Sequence, residues 1–95
     1  MSILVRFTPA SPVTTEQYDE TIRRLESDGG EFPPDGLEYH VAFTTEGEFR
    51  VSEIWESMPK FEAFGGRLMP ILGDVGIVVN PPEVCEIHNI ITASG

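Results

Sequence analysis

Apolar and polar residues alternate from Ser2 to Thr8, setting Ile3, Val5 and Phe7 on one face of an extended segment and Leu4, Arg6 and Thr8 on the other. The prolines at 9 and 12 end that segment. Thr14 stands three residues before Gln17, the spacing of a capping box, and Val13 is placed to staple against Tyr18. The helix opened there carries Tyr18, Ile22 and Leu25 as a narrow apolar stripe and stops at Gly29 and Gly30, which predicts a surface helix lying on a sheet. Beyond the stiff Phe32-Pro33-Pro34 connector, residues 37–44 and 49–56 alternate on either side of Glu46-Gly47, the pattern of a hairpin. Ser57 caps a second helix with Pro59 in its first turn and Phe61, Phe64, Leu68 and Ile71 along its stripe. Gly65, Gly66 and Pro70 predict a kink or break between 65 and 70, because an internal glycine costs ~1 kcal/mol against alanine and an internal proline ~3. Residues 74–82 read as a loop ending in Pro81-Pro82, and 83–91 form the last alternating run.

The order strand, helix, strand, strand, helix, strand predicts an α+β, ferredoxin-like βαββαβ domain over residues 1–95. Its antiparallel sheet takes the spatial order fourth, first, third, second strand, with both helices on one face. A chain of 95 residues leaves room for one core. With 16 acidic and 6 basic side chains the formal net charge is -10, which disfavours nucleic acid and anionic membranes as partners. No apolar run approaches the ~20 residues of a membrane span, and no signal-peptide pattern precedes the first strand, so a cytoplasmic location is expected. The single cysteine, Cys85, has no second thiol for a disulfide or metal pair and reads as a buried structural residue.

The hairpin register pairs Ala42 with Val51, His40 with Glu53 and Glu38 with Trp55 about the Glu46-Gly47 turn. The face holding Leu37, Tyr39, Val41, Phe43, Ser52 and Ile54 is the more apolar, and is therefore expected beneath the helices with Ile3, Val5, Phe7, Cys85, Ile87 and Ile91. The other face then carries Leu4, Arg6, His40, Val51, Glu53, Trp55, Val84, Glu86 and His88. It is too apolar to be left wet and too ionisable for a dry core, which predicts a homodimer enclosing a cavity between two such sheets.

The run Ile54-Trp55-Glu56-Ser57, the Phe61-x-x-Phe64 start of the second helix and the element order together resemble the dimeric α/β-barrel superfamily, and within it the antibiotic-biosynthesis-monooxygenase-like group. The resemblance covers nearly the whole chain and implies a dimeric barrel. Its members include cofactor-independent oxygenases of aromatic polyketides, haem-degrading monooxygenases and muconolactone-isomerase-like enzymes. Trp55 matches the tryptophan that lines the cavity in the polyketide oxygenases, whereas Val51 and Phe61 stand where those enzymes carry an asparagine and a tyrosine. Phe64 and Asp74 stand where haem-degrading members carry a tryptophan and a histidine.

His40 and Glu53, opposed across the hairpin, form the candidate catalytic pair, the carboxylate fixing the imidazole tautomer and the imidazole acting as base. Trp55, Arg6, His88, Val51, Phe64 and Met69 are the candidate ligand-binding residues, with Trp55 a wall for a ring and Met69 and Phe64 closing the mouth. The same His-Glu pair also fits a plain role of satisfying two polar groups at an interface. No metal is expected: His40 and His88 lie three strands apart, roughly 14 Å at ~4.8 Å per strand, against the ~2.1 Å of a zinc–histidine bond. The expected activity is binding of a small apolar or aromatic molecule in the barrel, with cofactor-independent monooxygenation as its chemistry. The alternatives are a non-enzymatic structural or binding dimer with a filled interior, and a muconolactone-isomerase-like isomerase.

Overall fold

The computed structural model describes residues 2–93. Its elements are β1 (Ile3–Phe7), α1 (Thr15–Ser27), β2 (Leu37–Thr45), β3 (Glu48–Trp55), α2 (Met58–Val75) and β4 (Glu83–Glu86). They form one antiparallel sheet in the order β2-β3-β1-β4, the predicted ferredoxin-like arrangement read from its other edge.

Local chemistry sets the boundaries. Thr14 accepts from the Gln17 backbone N–H at 3.1 Å while the Gln17 side chain accepts from the Thr14 N–H at 3.0 Å, the reciprocal bonds of a capping box. The β2–β3 connection is a two-residue turn with Glu46 at φ 52° and Gly47 at φ 79°. Positive φ at both central residues gives the twist that strands of a tight hairpin need.

Two elements, one helix and one strand, differ from the sequence reading. α2 runs unbroken through Gly65, Gly66 and Pro70 to Val75, so the predicted interruption is absent. Pro70 and Gly66 both face solvent, where water can take the carbonyl that the proline leaves unpaired, while Phe64 and Leu72 are buried on the opposite side. Packing of that face outweighs the local propensity cost. The helix ends at Gly76, whose φ of 83° makes it a left-handed cap, with the Ile77 N–H on the Leu72 carbonyl at 2.9 Å. β4 covers only the first four residues of the run expected over 83–91; His88, Ile90 and Ile91 lie beyond it and are exposed.

The sheet faces are the principal correction. β1 and β3 pair Ile3 with Trp55, Val5 with Glu53 and Phe7 with Val51, and directly opposed residues of an antiparallel pair share a face. Val5 and Trp55 are fully buried with Leu25 and Phe64 in the core under the helices. Trp55, Glu53, Val51 and His40 therefore lie beneath the helical layer, not on the bare face. Tyr39, Val41, Phe43 and Ile54, expected in the core, share the bare face with Leu4 and Arg6. Cys85, opposite Leu4, belongs there too, and Val84 opposes Val5. A register irregularity between Leu37 and Tyr39 sets Leu37 opposite Trp55 in place of the expected Glu38, and so keeps Leu37 on the covered side. The greater number of apolar side chains in β2 had pointed the other way.

Candidate functional site

Between the sheet and the two helices is a cavity of about 290 Å³. Phe7, Leu37, Phe49 and Val51 supply its sheet wall; Ile22 and Leu25 from α1, and Phe64, Leu68 and Leu72 from α2, supply the helical wall. Phe32, Pro33 and Pro34 of the α1–β2 connector close one side. Arg67 of α2 holds that connector down, donating to Asp28 at 2.9 and 3.1 Å and to the Glu31 carbonyl at 2.8 Å. Lys60 pairs with Asp35 at the connector's far end.

The lining is largely apolar, with Thr21 and Arg50 also bordering it, and one hydrogen-bonded polar array stands out. Glu53 is buried, 4% exposed, and both of its oxygens are engaged. Oε2 is 2.6 Å from His40 Nδ1, and Oε1 accepts from Trp55 Nε1–H at 2.9 Å. On its other nitrogen, Nε2, His40 meets the Tyr18 hydroxyl at 2.7 Å. A carboxylate can only accept, so His40 Nδ1 carries a proton; in the neutral imidazole Nε2 then accepts from Tyr18 O–H. The Tyr18 ring stacks on the imidazole at a centroid distance of 6.0 Å and packs on Phe49 at 5.1 Å. Burial, then the charges of Glu53 and Asp19, push the Tyr18 hydroxyl above the ordinary tyrosine value, which keeps it protonated.

The structure brings His40, Glu53, Val51 and Phe64 to this one cavity. Trp55 stands behind the wall, fully buried against Phe61 and Phe64 at centroid distances of 5.9 and 5.4 Å, and reaches the array through its indole N–H. The remaining candidates lie elsewhere: Arg6 pairs with Glu83 at 3.4 Å on the bare face, His88 is exposed past β4, and Met69 is 53% exposed on the outer side of α2. Sequence reasoning placed Tyr18 on the apolar stripe and missed its hydroxyl. The available signal was a phenol on the helix face that meets the sheet, since a buried tyrosine O–H needs a partner. Among the described residues, no three His, Cys, Asp or Glu side chains converge as metal ligands, and no helix is long and apolar enough to cross a membrane.

A two-helix layer over a four-stranded antiparallel sheet, with a cavity between them, defines a ferredoxin-like α+β class that recurs among known structures. Similar folds include SnoaB, a cofactor-independent oxygenase from Streptomyces nogalater, at TM-score 0.59 and 10% identity over 95% of this chain and 94% of that one. Rv0793 from Mycobacterium tuberculosis matches at TM-score 0.52 and 17% identity over 98% and 97% of the two chains. A candidate antibiotic biosynthesis monooxygenase from Deinococcus radiodurans matches at 0.52 and 14%, over 100% of both. The resemblance to the antibiotic-biosynthesis-monooxygenase-like group thus extends to the three-dimensional fold. No family model and no curated protein sequence matches the chain.

Proposed function

We propose that the chain binds a small apolar or aromatic molecule between its sheet and helices, and oxidises it with molecular oxygen without a cofactor. The observation that carries this reading is a buried glutamate held by two N–H donors, orienting a histidine at the edge of a cavity that is largely apolar. Apolar walls admit an aromatic skeleton, and one convergent polar group fixes its orientation. His40 serves as the base, and Glu53 stabilises the imidazolium once a proton has arrived. Loss of that proton makes the substrate electron-rich enough to reduce oxygen itself. One oxygen atom enters the product, the other leaves as water, and both electron pairs come from the substrate and its C–H bond. SnoaB, with the same fold, is a cofactor-independent oxygenase, which supports the reading by analogy of fold. A proton-shifting isomerase would use the same base and would turn over without oxygen.

Oxygen uptake with hydroxylated polycyclic aromatics, compared between wild type and His40→Ala, tests the reading. The expected result is uptake in the wild type and a loss of about 100-fold or more in the variant, the usual contribution of a positioned base. Equal uptake in both removes His40 from the mechanism, and turnover under nitrogen selects the isomerase.

We infer in addition a homodimer joined through the bare sheet face. Leu4, Tyr39, Val41, Phe43, Ile54 and Cys85 form one apolar surface there, with Tyr39 56% and Phe43 37% exposed in the single chain. A contiguous patch of this kind on a sheet is the usual mark of a protein interface.

A further inference from the structure

His40 cannot meet a ligand directly with either ring nitrogen. Nδ1 is bonded to Glu53, and Nε2 is capped by the Tyr18 hydroxyl at 2.7 Å, with the phenol ring stacked alongside. The Tyr18 side chain itself lines the cavity. Its position is set from both directions. The capping box starts α1 just before it, and the neighbouring Gln17 side chain donates to the Val75 carbonyl at 3.0 Å, tying that first turn to the end of α2.

Building on the base assigned above, we propose that Tyr18 is the residue that touches the substrate, that it relays the proton to His40, and that the substrate is accordingly an uncharged hydroxyarene presenting its O–H to Tyr18 Oη.

The transfer balances without any further reagent. The substrate O–H bond breaks as a Tyr18 O–H bond forms, the original Tyr18 O–H bond breaks as an Nε2–H bond forms, and no electrons are exchanged. The products are a bound aryloxide and an imidazolium, with tyrosine regenerated. Tyr18 then donates to the aryloxide and accepts from Nε2–H, while Glu53 faces the new positive charge through Nδ1–H. A donor aimed at the oxygen on which charge develops stabilises that charge strongly where water is excluded. The groups facing the relay are His40 and Glu53 from the sheet and Asp19 from α1. Two of these are carboxylates and Arg50 of β3 also lines the cavity, so it is the relay's need for a proton on the incoming oxygen that selects the neutral phenol. Because Tyr18 itself carries a proton, the two transfers are concerted, and the charge separation they produce is stabilised by Glu53 beside Nδ1–H.

The test uses 4-nitrophenol, whose anion is yellow and whose neutral form is colourless, titrated against the full-length protein across pH. In the wild type the bound probe should ionise at a pH about one unit or more below that of the free probe, a shift of tenfold in the equilibrium. In Tyr18→Phe the ring remains stacked on the imidazole and only an oxygen-sized gap opens, so the probe should still bind but its shift should vanish. His40→Gln should abolish the shift as well. If Tyr18→Phe keeps the shift and His40→Gln loses it, His40 takes the proton directly; the relay is overturned and the base survives. If neither variant changes the probe, or the wild type shows no shift, the relay falls together with the base. Should Tyr18→Phe fail to fold or to bind, 3,5-difluorotyrosine incorporated in a Tyr39→Phe background decides the matter. It preserves the hydroxyl and its packing while strengthening its acidity, so the relay predicts ionisation of the bound probe at still lower pH, and an unmoved value overturns it.

Discussion

Each face of the sheet carries residues that a simple inside–outside rule would put on the other. Beneath the helices lie a carboxylate, an imidazole and an indole N–H; on the bare side lie Leu4, Tyr39, Val41, Phe43 and Ile54. Burying polar groups destabilises a core unless each finds a partner, and Glu53 has one for each oxygen. Leaving apolar groups in water is equally unfavourable unless a second surface covers them. The covered face thus holds the proposed chemistry and the bare face the proposed association surface, and each assignment can be broken separately.

The largest effect is expected at Trp55. It is fully buried, packs on Phe61 and Phe64, and supplies one of the two donors to Glu53. Trp55→Ala should destabilise the chain by about 3–5 kcal/mol, the range for truncating a core aromatic, as measured by urea unfolding. Trp55→Phe separates packing from hydrogen bonding. It retains most of the ring and leaves Glu53 Oε1 unpaired, so it should cost about 1–3 kcal/mol. A loss below about 0.5 kcal/mol in Trp55→Ala would mean that the covered face is not the core.

The bare face is probed by charge. Val41→Asp places a carboxylate amid the apolar patch while leaving the helices and cavity untouched. Sedimentation of the wild type should give twice the chain mass and that of Val41→Asp the chain mass, with a dissociation constant raised at least about tenfold, equivalent to 1.4 kcal/mol. The variant's cavity should still take up 4-nitrophenol. A wild type that sediments at the single-chain mass would show that this face tolerates water.

Why the element order was legible and the faces were not follows from the physics of each signal. Capping residues, turn glycines and hydrophobic period are local, so Thr14 with Gln17, and Glu46-Gly47, locate a helix start and a hairpin that the structure reproduces. The pairing of His40 with Glu53 follows from that turn alone, and it too is reproduced. Which side of the hairpin the helices cover depends instead on the parity of the β1–β3 register, a contact between segments more than 40 residues apart, on the order of half the chain. Ile3, Val5 and Phe7 mark the covered face of β1 correctly, and Val5 opposite Glu53 carries that assignment across to β3. Counting apolar residues in β2 gave the reverse, because there Tyr39, Val41 and Phe43 make the bare face the more apolar of the two. Tyr18 was missed for a related reason: on a helical stripe its ring reads as packing, and its hydroxyl acquires a meaning only when β2 is known to lie beneath it. The continuity of α2 through Pro70 was likewise decided by packing on its inner face.

A smaller effect is expected where α2 holds down the connector at the rim of the cavity. The Arg67 side chain is the foremost cause of the low Asp28 pKa, reinforced by the Gly30 backbone N–H. A lowered carboxylate pKa contributes stability above the unfolded value that is lost as pH falls through the folded one. Arg67→Met should therefore flatten the acid limb of the stability profile, with only a small difference from wild type at neutral pH because the pair is screened by water. It should also speed exchange of a bound phenol, because Phe32, Pro33 and Pro34 are then less firmly held. Unchanged dissociation kinetics would show that the connector does not gate the cavity.

The smallest effect sets the tyrosines of the two faces against each other. Tyr18 has its hydroxyl pKa raised, by burial first and then by Glu53 and Asp19, while Tyr39 lies 56% exposed on the bare side. With a raised folded pKa, the unfolded chain loses its tyrosine proton first as pH climbs past about 10, and from there the unfolded state binds fewer protons than the native one. Stability from Tyr18 is thus complete below that pH and declines as pH rises toward the folded value. Tyr18→Phe removes the titrating group, so the midpoint of urea unfolding should fall less steeply above about pH 10 than it does in the wild type. If Tyr18→Phe retains the wild-type slope, the hydrogen-bonded array beneath the helices is not what holds Tyr18 protonated.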